Sequence, residues 1–369
     1  MPSMKILGIE TSCDETAAAV VEDGKTLLSN VVATQIDIHK KYGGVVPEIA
    51  ARSHIEVINP VIEQAIAKAD LSWQDIDAIA VTHGPGLSGS LLVGTLAART
   101  LALTKNKPLY PVNHVLGHVY ANFLTTPQPQ FPMLALIVSG GHSQLALFNS
   151  HLEYVLLGQT QDDAVGEAYD KVAKVLGLGY PGGPSVERSG TSGNSKAYKF
   201  PKANMKKREI KVPAKWLDQQ AGDSDEYLVQ NSYDFSFSGL KTAVLRRVQK
   251  EVGKSHDFPS FELSALLSES QVNDFAASFN RLAAETLVDK TMLAYAEFSP
   301  KSVVIAGGVA ANKELRRQLK EALPIEITYA EMSLCTDNAA MIATLAYYEA
   351  QAGEPTSPHD VKIHPNLKM

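Results

Sequence analysis

Cysteine and tryptophan are scarce in this chain, with two of each among 369 residues. Cys13 and Cys335 cannot supply the disulfide framework of a small secreted domain. A chain this long buries enough apolar surface to fold without one. A reducing compartment, the cytoplasm, is the expectation. Long apolar runs are missing too: the longest, such as 133–138, fall far short of the roughly 20 residues that cross a bilayer. The N-terminal Met-Pro-Ser-Met-Lys-Ile lacks the charged and apolar regions of a signal peptide. There is no excess of positive charge. Lys and Arg number 34 against 40 Asp and Glu, for a net charge of −6 and a pI of about 5.9. Taken alone, that balance argues against a dedicated nucleic-acid binder. Neither a Walker A loop nor H-E-x-x-H occurs.

What is present is ordinary globular composition, 45% apolar and 20% charged, at a length that allows two domains. Strands are expected at 5–10, 16–22 and 25–33, the last two joined by Asp23-Gly24. Residues 51–69 space Ile55, Ile58, Ile62 and Ile66 on one helical stripe. A short strand at 77–82 runs into a glycine-rich loop, His83–Ser90, and a helix over 91–104. Residues 111–124 look helical, and 125–130 read as a linker. The opening layout then returns: strand 133–138, a small polar turn Ser139–His142, and strand 143–148. A duplicated α/β unit would explain this, although several hairpins in one α/β protein would also do so. A third strand, 302–305, ends at Gly307-Gly308 before a helix over 313–322. Residues 190–226 are polar, lysine-rich and without clear periodicity, the texture of an inserted loop or small subdomain.

Several of these places could carry chemistry. Glycine turns after apolar strands, Ser139-Gly140-Gly141 and Gly307-Gly308, can aim backbone N–H groups at a phosphate, or can be tight turns and nothing more. His114 and His118, four apart, share one helical face and could hold a metal ion. Val115 stands where a zincin has its glutamate. Asp337, ahead of the apolar helix containing Ala340 and Ile342, could be a third ligand or a carboxylate favoured by the helix dipole. Asp170 and Glu187 flank the turn Tyr180–Pro184, where a surface role competes with binding ribose hydroxyls. Phe235 and Phe237 could face a nucleobase or anchor a strand in the core.

Seven motifs in one order carry a resemblance. They are Ile9-Glu10-Thr11-Ser12-Cys13-Asp14-Glu15-Thr16, Gly84-Pro85-Gly86, Asn113-His114-Val115-Leu116-Gly117-His118, Val138-Ser139-Gly140-Gly141-His142, Tyr180-Pro181-Gly182-Gly183-Pro184, Phe235–Thr242 and Gly307–Asn312. From about residue 5 to about 346 the chain resembles the TsaD (Gcp or YgjD) family of tRNA N6-adenosine threonylcarbamoyltransferases. The resemblance implies a duplicated α/β fold of the actin, Hsp70 and sugar-kinase (ribonuclease H-like) type, with ligand in the cleft between two lobes. The lobes would be 1–130, completed by a helix at about 337–352, and 131–336, with the inserted segment at about 190–226. It implies transfer of a threonylcarbamoyl group from threonylcarbamoyl-adenylate to N6 of adenosine 37, in tRNAs reading codons that start with A. One metal ion, iron (Fe2+) with zinc (Zn2+) as the alternative, would be held by His114, His118 and Asp337. An ATP- or AMP-type nucleotide, or the adenylate itself, would be lined by Ile137, Val138, Ser139, Gly140, Gly141, Asp170, Gly183, Glu187 and Asn312. Asp14 and Glu15 would be the general acid/base candidates. The implied partners are tRNA, a related inactive paralogue subunit (TsaB-like) and a small P-loop ATPase (TsaE-like), with no membrane.

Two features depart from the family pattern. Glu187 stands where many members have Asp, and the 190–226 segment is longer than the usual connection. The net −6 also conceals local cations at Lys196, Lys199, Lys202, Lys206, Lys207, Arg208, Lys211 and Lys215, with Lys241, Arg246, Arg247 and Lys250 further on and Asp218, Asp223, Asp225 and Glu226 after the first cluster. The global charge therefore leaves a salt-sensitive tRNA contact open. A metalloprotease, a small-molecule kinase of the same fold and a non-catalytic scaffold are the competing functions.

Overall fold

The computed structural model describes residues 3–216 and 226–369. The chain divides into two compact units: Met1–Pro129 with Tyr329–Met369, and Gln130–Thr328. In the first unit, β1 (Lys5–Glu10), β2 (Glu15–Glu22) and β3 (Thr26–Thr34) form an antiparallel meander. After α1 (Ile36–His39), α2 (Pro47–Lys68) starts with proline in its first turn, where a missing N–H is harmless. Ile58, Ile62 and Ile66 bury on the expected stripe, but Ile55 is 64% exposed. His54 takes the inward place instead, with its Nδ1 2.7 Å from Thr16 Oγ1 and its Nε2 3.0 Å from the Cys13 carbonyl.

β4 (Ala78–Gly84) joins β1 in parallel, α3 (Ser88–Lys105) returns, and β5 (Leu109–Asn113) joins β4 in parallel. The sequence reading of 111–124 as one helix missed β5. Leu109 and Val112 are buried, and Pro111, lacking an N–H, is tolerated because β5 is the outermost strand of the order β3-β2-β1-β4-β5. The helix α4 (His114–Tyr120) begins only at His114, because the Asn113 side chain accepts the N–H groups of Val115 and Leu116.

The second unit repeats the plan. β6 (Met133–Val138), β7 (Ser143–Ser150) and β8 (Glu153–Gln159) form the meander. Two helices follow, α5 (Val165–Val175) and α6 (Gly182–Gly190). Next come the hairpin β9 (Arg208–Pro213) with β10 (Glu226–Asn231), and the helices α7 (Ser238–Glu251) and α8 (Glu269–Phe298). β11 (Ser302–Ala306) then lies parallel to β6, followed by α9 (Lys313–Ala322) and β12 (Ile327–Tyr329). The sheet order is β12-β11-β6-β7-β8, so each unit has a three-stranded meander whose first strand is flanked by later strands. Phe235 and Phe237 are fully buried in this unit's core, which is the anchoring role. Within the described part of the segment 190–226, Ile210 and Val212 of β9 reach the same core, with Val229 of β10 paired beside them. Asp218, Asp223 and Asp225 of the acidic run lie outside the described residues.

The chain then returns to the first unit through α10 (Met332–Cys335) and α11 (Ala340–Ala352). The apolar face of α11 buries Met341, Ile342, Leu345 and Ala346, and the helix lies on β1 at Gly8. A Cβ there would stand 2.3 Å from the Ala339 carbonyl oxygen and 2.8 Å from the Ala343 nitrogen. Beyond α11, Val361 enters the core, Gly86 N–H donates to the Pro365 carbonyl, and Asn113 Nδ2 donates to the Lys368 carbonyl at 3.1 Å. Because backbone atoms cannot yield as a side-chain tip can, Gly8→Ala should cost about 3 kcal/mol. Thermal unfolding followed by circular dichroism should show a fall in Tm of roughly 6–12 °C.

Candidate metal centre

Two histidines one turn apart on α4 and a carboxylate just before α11 meet within the first unit. His118 Nε2 lies 3.2 Å and His114 Nε2 3.6 Å from Asp337 Oδ1. One donor atom from each of the three residues lies within 4.8 Å of the others. Asp337 is not a helix-start carboxylate: α10 ends at Cys335, and Asn338 bonds the Met341 N–H at the start of α11. Asp337 thus sits on the connector between two helices, where its side chain can turn to the imidazoles. Gly117 lets α4 approach α11 there, since a Cβ would meet Ile342 Cδ1 at 3.0 Å.

The electrostatics suit a cation. Burial works against a charged His114, but the charges of Glu10 and Asp337 outweigh it and hold its pKa at about 9. Glu10, with no exposed surface, is the residue that sequence reasoning missed. Burial opposes its ionisation, yet the His114 charge and hydrogen bond, with Ser12, keep its carboxyl below the usual range. The available signal was a charged residue closing an otherwise apolar strand, Lys5–Glu10. Burial, with Asp337 and Asp14 nearby, pushes Glu15 up to about 10. Neither ring nitrogen of buried His118 makes a hydrogen bond. A metal ion would engage Nε2, which has Asp337 Oδ1 at 3.2 Å but no hydrogen bond, so these residues fit one. Two imidazoles and one carboxylate suit iron or zinc, whereas Mg2+ prefers oxygen ligands.

The remaining candidates lie in the second unit. Ile137 and Val138 end β6, fully buried. The Ser139 carbonyl accepts the Gly166 N–H at the start of α5. Asp170 Oδ1 accepts the Gly182 N–H at 2.7 Å, and Glu187 Oε1 accepts the Lys313 N–H at 2.6 Å. Asn312 caps α9 through Leu315 N–H, and its Nδ2 donates to Asn280 Oδ1 at 2.9 Å. Gly140, Gly141 and Gly183 stand apart: a Cβ at any of them would meet nothing within 4 Å, and none has a positive φ. The fold itself does not demand glycine at these three positions.

The two units with one sheet plan, one of them carrying a His–His–Asp group, define a duplicated α/β protein of the actin and sugar-kinase class. HypF, solved at full length in a phosphate- and nucleotide-bound form, shares this fold. The TM-score is 0.53 at 12% identity, covering 96% of this chain and 47% of that one. Residues 26–344 match the family model described as TsaD: tRNA N6-adenosine threonylcarbamoyltransferase. Proteins of that name from Thermomicrobium roseum and Symbiobacterium thermophilum are 47% and 49% identical to it. They align with 99% and 94% of this chain and with 97% and 92% of their own lengths. The chain belongs to the TsaD family; it is a transferase, and its reaction is threonylcarbamoylation of tRNA. Among the described residues no helix is long and apolar enough to cross a membrane.

Zn2+ at one hundred times its Kd should stabilise the protein by about 2.7 kcal/mol. A thermal-shift titration should show the rise in Tm, and His118→Ala should abolish it.

Proposed function

We propose that the chain transfers the threonylcarbamoyl group of threonylcarbamoyl-adenylate to N6 of adenosine 37, in tRNAs reading codons that begin with A. The observation that carries this reading is the His114–His118–Asp337 donor set, two buried imidazoles and a half-buried carboxylate, in a chain of the TsaD family. These three residues would hold one ion, iron with zinc as the alternative. Two histidines with one carboxylate and open positions is the ligand pattern of non-haem iron(II). When bound, the ion supplies a Lewis acid for the carbamoyl group. The N6 amine forms a new C–N bond at the carbamoyl carbon, the C–O bond to phosphate breaks, N6 loses a proton and AMP leaves. Asp14 and Glu15 are the acid/base candidates.

The nucleotide of the donor would lie against Ile137–Gly141, Asp170, Gly183, Glu187 and Asn312. The open space at Gly140, Gly141 and Gly183 supports this, because side chains there would fill a cradle rather than collide with the protein. Asp170 Oδ1 accepts the Gly182 N–H and Glu187 Oε1 the Lys313 N–H, which fixes both carboxylates beside the turn where a ribose would lie. In the lysine-rich segment Lys202, Lys211 and Lys215 are ion-paired, and Arg208 is tied to Asp234 and the Leu157 carbonyl. Lys206 and Lys207 are exposed and make no such pairs among the described residues, so they are the better tRNA contacts. A related inactive subunit and a small P-loop ATPase would assist, in the cytoplasm.

Transfer from threonylcarbamoyl-adenylate to tRNA, reconstituted with such partners and read by nucleoside mass spectrometry, should require His114 and fail in His114→Ala. Gly141→Val should retain the wild-type Tm while losing about 100-fold in transfer. Full transfer by His114→Ala would overturn the metal's part, and wild-type transfer by Gly141→Val would overturn the nucleotide's place.

A further inference from the structure

We propose that Glu10 is a positioning residue of the metal centre, an acceptor-only carboxylate that fixes His114 with its proton on Nδ1 and its Nε2 lone pair presented to the ion. The inference rests on the metal reading above and concerns a residue outside the ligand set.

Glu10 ends β1 without solvent exposure, yet both carboxylate oxygens are engaged from three parts of the first unit. Oε1 accepts the Ser12 backbone N–H at 2.5 Å. Oε2 accepts the Thr82 hydroxyl of β4. The same oxygen lies 3.1 Å from His114 Nδ1, which is also 3.1 Å from Ser12 Oγ. A backbone N–H can only donate, and an ionised carboxylate can only accept. Nδ1 must therefore carry the hydrogen in its bond to Oε2. The opposite nitrogen, Nε2, faces Asp337 and His118. A ligating histidine commonly donates its far N–H to a carboxylate, which sets the tautomer and ring orientation.

The alternative, a buried acid kept only for packing, makes a different prediction for the isosteric amide. In Glu10→Gln the Ser12 N–H still requires the amide oxygen, so the NH2 group must replace Oε2. Thr82 can rotate its hydroxyl to accept from that NH2. His114 either surrenders the Nδ1 proton to accept, which moves the neutral ring's hydrogen to Nε2 and blocks the ligand lone pair, or keeps it on Ser12 Oγ with the amide NH2 opposed to it. The amide keeps the volume and inverts the polarity at one atom.

The test uses the full chain, Zn2+ as the probe, a competing chelator for affinity and histidine 15N NMR for the ring. Zinc-loaded wild type should show His114 bound through Nε2 with hydrogen on Nδ1; zinc bound through Nδ1 would overturn the proposal without any variant. Glu10→Gln should weaken Zn2+ binding by about 10- to 100-fold, with metal-free Tm changed far less than by Gly8→Ala. Wild-type affinity in Glu10→Gln would overturn the proposal. His118→Ala separates the two readings: unchanged Zn2+ binding there removes the metal site itself. Loss there with wild-type binding in Glu10→Gln removes only the role of Glu10. Should Glu10→Gln fail to fold, the wild-type NMR assignment alone decides.

Discussion

The closeness of two backbones at Gly8 governs the first unit. A strand with any side chain at that position would hold α11 away from β1. Asp337 lies on the connector leading into α11, while His114 and His118 lie on a helix packed against the same element. A change of an ångström or two at the crossing would separate carboxylate from imidazole by more than a metal–ligand bond tolerates. The absence of one methyl group therefore sets the geometry of a site whose ligands are elsewhere.

Charge gives that geometry its meaning. Glu10 and Asp337 bear directly on two imidazoles in a largely buried setting, with Asp14 and Glu15 nearby. Carboxylates outnumber the cations available to them, and burial removes the water that would screen the difference. The metal-free protein answers by holding protons, on His114 up to a pKa of about 9 and on Glu15 up to about 10. A divalent ion would satisfy the same surplus with fewer protons, so metal loading and proton release are two accounts of one balance.

Local pattern carried much of the fold to the sequence reading. Every meander strand but β8, and the helix at 313–322, were visible because their periods were undisturbed. β5 was hidden because its Pro111 and short length resemble a helix start, and only pairing with β4 makes it a strand. The hairpin of Arg208–Pro213 was hidden by its lysines, although Ile210 and Val212 alternate as a half-buried strand should. The His–His–Asp group was legible through motif resemblance; spacing alone yielded only a pair. Glu10 escaped notice because its role depends on Thr82 and His114, which only tertiary structure brings to it.

The first unit is interrupted in the chain by the whole of the second. As synthesis proceeds, both histidines emerge long before Asp337, and β1 waits bare of α11 until the intervening unit has been made. The second unit is continuous and can fold while the ribosome is still working. The nascent first unit thus offers metal only an incomplete, two-nitrogen site, and its core stays open on the side that α11 later covers. If the three residues hold an ion, its capture and the closure of that core fall at the same moment, after the whole second unit has been made.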